Sequence, residues 1–94
     1  MEFEWDESKA ETNLRKHQVS FPEAATAFAD PVAAIFSDPD HSGEEVREIL
    51  VGHSERNRLL VVSFTERDGK IRIISSRVTS AAERRKHEEN PMGG

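Results

Sequence analysis

The sequence predicts an α+β domain: an antiparallel sheet of three to five strands, with two N-terminal helices packed on one face and a C-terminal helix. Three observations predict it. Apolar residues recur at helical spacing before Asp30, β-branched runs with alternation fill residues 46–78, and Asp68 with Gly69 forms a two-residue hairpin signal between two such runs.

The elements follow in order. Phe3 and Trp5 alternate with Glu2 and Glu4, the period of a short half-buried edge strand. Asp6 is placed to cap a helix running to His17, with Glu7 in its positive first turn and Lys16 near its negative end. Ser20 and Glu23 form a capping box with Pro22 in the first turn, and Phe21, Ala24, Ala25 and Phe28 give the second helix an apolar, core-forming face that ends at Asp30 and Pro31. Residues 33–36 suit a first or edge strand, and residues 37–45 read as an exposed loop.

Residues 46–53, 59–67 and 70–78 predict a three-stranded meander. The Asp68 turn sets Glu66 against Ile71, Phe64 against Ile73, Val62 against Ser75 and Leu60 against Arg77. A two-residue turn at Arg56 and Asn57 would set His53 against Leu60 and Arg47 against Glu66. In that register Ile49, Val51, Leu60, Val62, Phe64, Ile71 and Ile73 share the face that receives the helices. Ser80 and Glu83 form another capping box, opening a last helix to about residue 89 whose only apolar grip is Ala81 and Ala82. One domain over residues 1–90 and a frayed tail over 91–94 complete the expected organisation.

Composition narrows the function. The absence of cysteine removes disulfides and thiolate metal sites and suits a reducing cytoplasm. No apolar run approaches the roughly 20 residues of a membrane span, so no membrane association is expected. A net charge of −5 argues against a general nucleic-acid binder. Its distribution is uneven, with three basic against eleven acidic side chains in residues 1–46 and seven against four in residues 67–94, which leaves room for a local cationic surface. Asp38, Asp40 and His41 carry no recognised ligand spacing, so neither a metal nor another cofactor is expected.

Dispersed positions in a fixed order then carry a resemblance. Phe3 to Lys9, Asn13, Lys16, His17, Val19, Ser20, Phe21, Glu23, Ala24, Phe28, Asp30 and Pro31 resemble the front half of the BrnT toxins. Arg47, Gly52, His53, Ser54, Arg58 to Val62, Thr65 to Arg67, Ile71 to Ser75, Arg77 and Glu83 to Arg85 resemble the back half, so the likeness spans residues 3–89. The resemblance implies a RelE-like fold, ribonuclease activity and silencing by a cognate BrnA-like antitoxin. That partner would carry a ribbon-helix-helix part, so DNA is contacted only through it and the toxin is part of a hetero-oligomer. Three positions depart from the family pattern: Gln18 and Asn57 stand where glycine is usual, and His87 where tyrosine is common.

Metal-independent RNA cleavage needs a base for the 2′-hydroxyl, cations around the phosphate and an acid for the leaving 5′-oxygen. His17, His53, His87 and Glu66 offer proton carriers, and Arg47, Arg58, Arg67, Arg72, Arg77, Arg84 and Arg85 offer bidentate phosphate clamps. The register brings His53 and Arg77 to either side of Leu60, with Arg84 and His87 just beyond. We therefore expect His87 to act as acid or base, Arg77 and Arg84 to stabilise the phosphorane, and His53 to orient substrate or carry the second proton. Glu66 is either a cross-strand partner of Arg47 or a further catalytic group. Arg67, Lys70 and Arg72, with Arg58 and Arg85, either track the RNA backbone or form a solvated charged surface. Trp5 suits core or interface packing better than base stacking.

The leading expectation is an endoribonuclease toxin. The alternative is a catalytically inactive protein-binding module that retains the fold and the antitoxin interface. A free-standing RNA-binding protein fits less well, since no aromatic stacking pair lies on a strand in the basic half.

Overall fold

The computed structural model describes residues 1–38 and 46–89; the tip of the expected 37–45 loop, with Asp40 and His41, and the expected 91–94 tail lie outside the described residues. Strands β1 (Glu2–Glu4), β2 (Ala34–Ser37), β3 (Glu48–His53), β4 (Leu59–Arg67) and β5 (Lys70–Val78) form one sheet in the order β1-β5-β4-β3-β2. Helices α1 (Glu7–His17) and α2 (Phe21–Thr26) lie on one side, a 3₁₀ turn (Ala27–Ala29) follows α2, and α3 (Ala81–Glu89) closes the described chain. The sheet is mixed where a purely antiparallel one was expected, because β1 runs parallel to β5 through Phe3 opposite Ile71.

Local chemistry sets the ends of the helices. Asp6 Oδ1 accepts the N–H groups of Ser8 and Lys9, capping α1. Gln18 ends α1 in the left-handed region at φ 57°, the conformation that favours glycine. Ser20 Oγ accepts the Glu23 N–H at the start of α2, but the Glu23 carboxylate turns away into the protein instead of returning to Ser20.

The core joins Val19, Phe21, Ala24 and Ala27 to Leu50, Leu60, Val62, Phe64, Ile71 and Ile73. Phe28 bridges it to the edge, stacking edge-on against both Phe64 at 4.9 Å and Phe3 at 5.2 Å. Trp5 packs edge-on to Phe21.

Two details correct the expected register. The β3–β4 turn has three residues between Ser54 and Arg58, with Asn57 in the left-handed region at φ 60°. His53 therefore stands opposite Leu59, not Leu60, and Leu50 replaces Ile49 and Val51 on the helix-facing side. Glu48, opposite Phe64, is the first paired residue of β3, so the expected pairing of Arg47 with Glu66 does not form. On β5 a bulge leaves Ile74 without a partner, so Val62 meets Ser76 instead of Ser75, and Arg77 faces Val61 instead of Leu60. The Asp68 turn itself, with Asp68 at φ 54° and Gly69 at φ 78°, keeps Glu66 opposite Ile71 and Phe64 opposite Ile73.

The outer edge of β5 is closed by a side chain. Asn13, 6% exposed, donates to Ser76 O at 2.9 Å and accepts from Ser76 N at 3.1 Å. An amide group there replaces a neighbouring strand, since it offers one donor and one acceptor at the spacing of a peptide unit.

Candidate active site

The two register corrections act together. Val51, Val61 and Arg77 are aligned across three strands, and His53 lies two residues beyond Val51 on the same side, so His53 and Arg77 share the sheet face opposite α1 and α2. They do not flank Leu60 as expected: His53 is opposite Leu59 and Arg77 opposite Val61, two residues apart along β4.

Helix α3 starts just past β5 and is attached by few contacts. Thr79 N donates to Leu59 O at 3.0 Å, and the Ser80 and Glu83 capping box forms in both directions, at 2.8 and 3.2 Å. No residue of α3 is fully buried. Its His87 ring stands 5.9 Å from the His53 ring, edge to face, with His87 Nε2 enclosed and without a hydrogen-bond partner among the described residues.

Gly52 explains how the far side of His53 is built. A Cβ there would come within 2.9 Å of both Ala27 O and Ala33 Cβ, so its absence lets the 3₁₀ segment close onto β3. Asp30 follows that segment directly. Its Oδ2 accepts the His53 main-chain N–H at 2.6 Å and lies 2.9 Å from His53 Nδ1, while Oδ1 accepts the Val32 N–H at 3.0 Å. Burial works against the charge on Asp30, yet these hydrogen bonds outweigh it and hold the carboxyl below its ordinary value.

Arg77 is held by Glu83 in a two-pronged pair, Nη1 to Oε1 at 2.8 Å and Nη2 to Oε2 at 2.9 Å. The Arg77 guanidinium, helped by the Ser80 N–H, draws the Glu83 carboxyl down to about 2. Arg84 and Arg85 form no ion pair among the described residues, and both line a cleft of about 550 Å³ with Arg58, Leu59, Thr79 and Ser80.

The remaining sequence candidates are distributed elsewhere. Arg58 is tied down by Glu23, which is 4% exposed: Nε donates to Oε2 at 2.9 Å, Nη2 forms a closer bond to Oε1, and Nη2 also donates to Gln18 O. Ser54 Oγ completes the cluster by donating to Glu23 Oε2 at 2.7 Å. Glu66, Arg67, Lys70 and Arg72 sit at the Asp68 hairpin, about 20 Å along the strands from Arg77. There Arg72 pairs with Glu4 at 3.2 Å and Lys70 approaches Glu2 at 4.0 Å. His17 lines a separate cleft between α1 and β5.

Sequence reasoning missed two residues that matter here. Glu23 read as a helix cap, and Asp30 as a helix terminator before proline. The signal that could have found Asp30 was an acidic residue beside Pro31 among the positions carrying the family resemblance. Among the described residues no cluster of three or more histidines and carboxylates could hold a metal ion, and no helix is long and apolar enough to cross a membrane.

The chain is an α+β protein whose five-stranded mixed sheet carries two helices on one face and, on the other, the His53 and His87 rings and the Arg77 fork. The family model for the ribonuclease toxin BrnT of type II toxin-antitoxin systems matches residues 5–83, and the chain belongs to that family. Its fold is similar to the 1.1 Å crystal structure of the Brucella abortus ribonuclease toxin BrnT, with a TM-score of 0.65 and 24% identity over 85% of this chain and 97% of that one. A search of curated proteins finds no match.

Proposed function

We propose that this chain is a metal-independent endoribonuclease acting in the cytoplasm and held silent by a cognate BrnA-like, ribbon-helix-helix antitoxin. Family membership supplies the class, and the observation that carries the mechanism is the placement of the His53 and His87 rings 5.9 Å apart, on the sheet face that also bears Arg77. Two imidazoles supply both proton transfers without a metal, and a guanidinium stabilises charge on the phosphorane. Arg77 and Arg84 take the scissile phosphate in this reading. Arg85, unpaired in the same cleft as Arg84, takes a neighbouring phosphate, and Arg58 forms the cleft wall. Arg67, Lys70 and Arg72 belong to the distant hairpin, where they extend the cationic track, and Glu66 beside them takes no part in chemistry.

The test is single-turnover cleavage of end-labelled bulk RNA in EDTA. Wild-type protein should cleave, and folded His87→Ala should lose about 100-fold or more in rate. Undiminished cleavage by His87→Ala would remove that residue from the mechanism.

One observation favours a second reading, a catalytically inactive binding module. Arg58, Arg72 and Arg77 all spend their guanidinium groups on carboxylates of the same chain. Absence of cleavage by wild-type protein, with no further loss in Arg77→Ala, is the outcome that selects it.

A further inference from the structure

We infer that Asp30 is a positioning residue that makes His53 the base of the cleavage reaction, an inference that rests on the ribonuclease reading above. The Asp30 side chain is 8% exposed, that of His53 37%, so the pair presents an imidazole to solvent and keeps the carboxylate behind it. An ionised carboxylate only accepts hydrogen bonds, so the 2.9 Å contact to Nδ1 requires the hydrogen to be on Nδ1. The neutral ring then carries its lone pair on Nε2, which is the form a base must have. Because the same Oδ2 also binds the His53 main-chain N–H at 2.6 Å, the ring is fixed in direction as well as in tautomer.

A purely structural carboxylate at this corner has enough to do in tying the Val32 and His53 N–H groups together. The contact to Nδ1 adds nothing to that task. It does stabilise the imidazolium that forms when Nε2 accepts a proton, in a place where the neighbouring ring is His87.

His53 Nε2 takes the proton of the ribose 2′-hydroxyl, O2′ forms a bond to phosphorus and the bond from phosphorus to O5′ breaks. O5′ takes a proton from protonated His87 through Nδ1, since His87 Nε2 is enclosed. The products are a 2′,3′-cyclic phosphate and a 5′-hydroxyl, and exchange with water returns both rings to their starting states.

The experiment uses the full chain, labelled with ¹⁵N, and a 5′-labelled oligoribonucleotide of mixed sequence in EDTA. In wild-type protein, nitrogen–proton correlation spectra of the neutral His53 ring should show hydrogen on Nδ1. In Asp30→Asn, the side-chain amide competes for the same position, the tautomers should redistribute, and single-turnover kcat should fall about 10- to 1000-fold with KM within about threefold. Wild-type His53 found with hydrogen on Nε2 overturns the assignment without recourse to any variant. Undiminished cleavage by folded Asp30→Asn overturns it equally. Absence of cleavage by wild-type protein defeats the ribonuclease reading, and this assignment with it, so the two failures are distinguishable.

Discussion

Arg77 and Glu83 meet fork to fork, at 2.8 and 2.9 Å, joining the end of β5 to the first turn of α3. Glu83 thereby occupies the Nη1/Nη2 edge of the guanidinium, one of the forks a phosphate group can use, while its Oε1 also accepts the Ser80 N–H at 2.8 Å. The carboxylate is at once a helix cap and, in the proposed mechanism, a competitor of substrate.

Glu83→Gln keeps a cap acceptor and removes the charge. Both partners are substantially solvent-exposed, so the pair itself contributes little to stability. We expect Tm to change by no more than a few degrees and RNA affinity at low salt to rise about two- to fivefold, read by fluorescence anisotropy. Weaker binding would show that Glu83 positions Arg77 for RNA instead of competing for it.

Glu23 should behave differently, because it is buried with Arg58 and Ser54 around it. Glu23→Ala leaves a guanidinium and a hydroxyl without their acceptor. A loss of about 2–4 kcal/mol is expected in urea titration, a large share of the 5–15 kcal/mol typical of a domain. A loss under about 0.5 kcal/mol would mean that water replaces the carboxylate at no cost.

Acid should expose the same pair. Hydrogen bonds from Arg58 hold the Glu23 carboxyl below its ordinary 4.5 despite burial, and Glu83 lies at about 2. A carboxyl with a lowered folded value contributes its stability above the unfolded value and loses it as pH falls through the folded one. Stability should therefore hold above about pH 4.5 and decline towards pH 2, with a shallower decline in Glu23→Gln. Equal slopes in the two proteins, measured by urea titration at several pH values, would separate Glu23 from acid sensitivity.

Gln18 holds a left-handed conformation, at φ 57°, with its side-chain amide bonded to Arg15 O. Gln18→Gly removes the Cβ strain and keeps the main-chain carbonyl that accepts from Arg58. The expected gain is about 0.5–1 kcal/mol, a few degrees in Tm by calorimetry. A drop in Tm would show that the Arg15 contact outweighs the strain.

What could be read from the sequence was local. Asp6, Ser20 and Ser80 each announce a helix start, and Asp68 with Gly69 fixes one hairpin, because caps and turns are decided within four or five residues. The phase of β3 was not legible, since Asn57 suits a two- or a three-residue turn equally well, and one residue inverts the strand. The parallel pairing of β1 and the contact of Asp30 with His53 join segments far apart in sequence, where no local preference acts. His53, Arg77, Arg84 and His87 were chosen as candidates from residue type and approximate register, whereas the ion-pair partners that restrain Arg58, Arg72 and Arg77 appear only once the chain is folded.

The unpartnered Ile74 has a consequence for the route by which this hairpin must zip. A ladder closing from Gly69 without interruption would bring Arg77 round beneath the helices, an ionised group among Leu60 and its apolar neighbours. In the observed arrangement Asn13 bonds both main-chain groups of Ser76, two residues past the irregular one. A single irregular residue thus keeps the guanidinium outdoors, and an amide on the first helix acts as its latch.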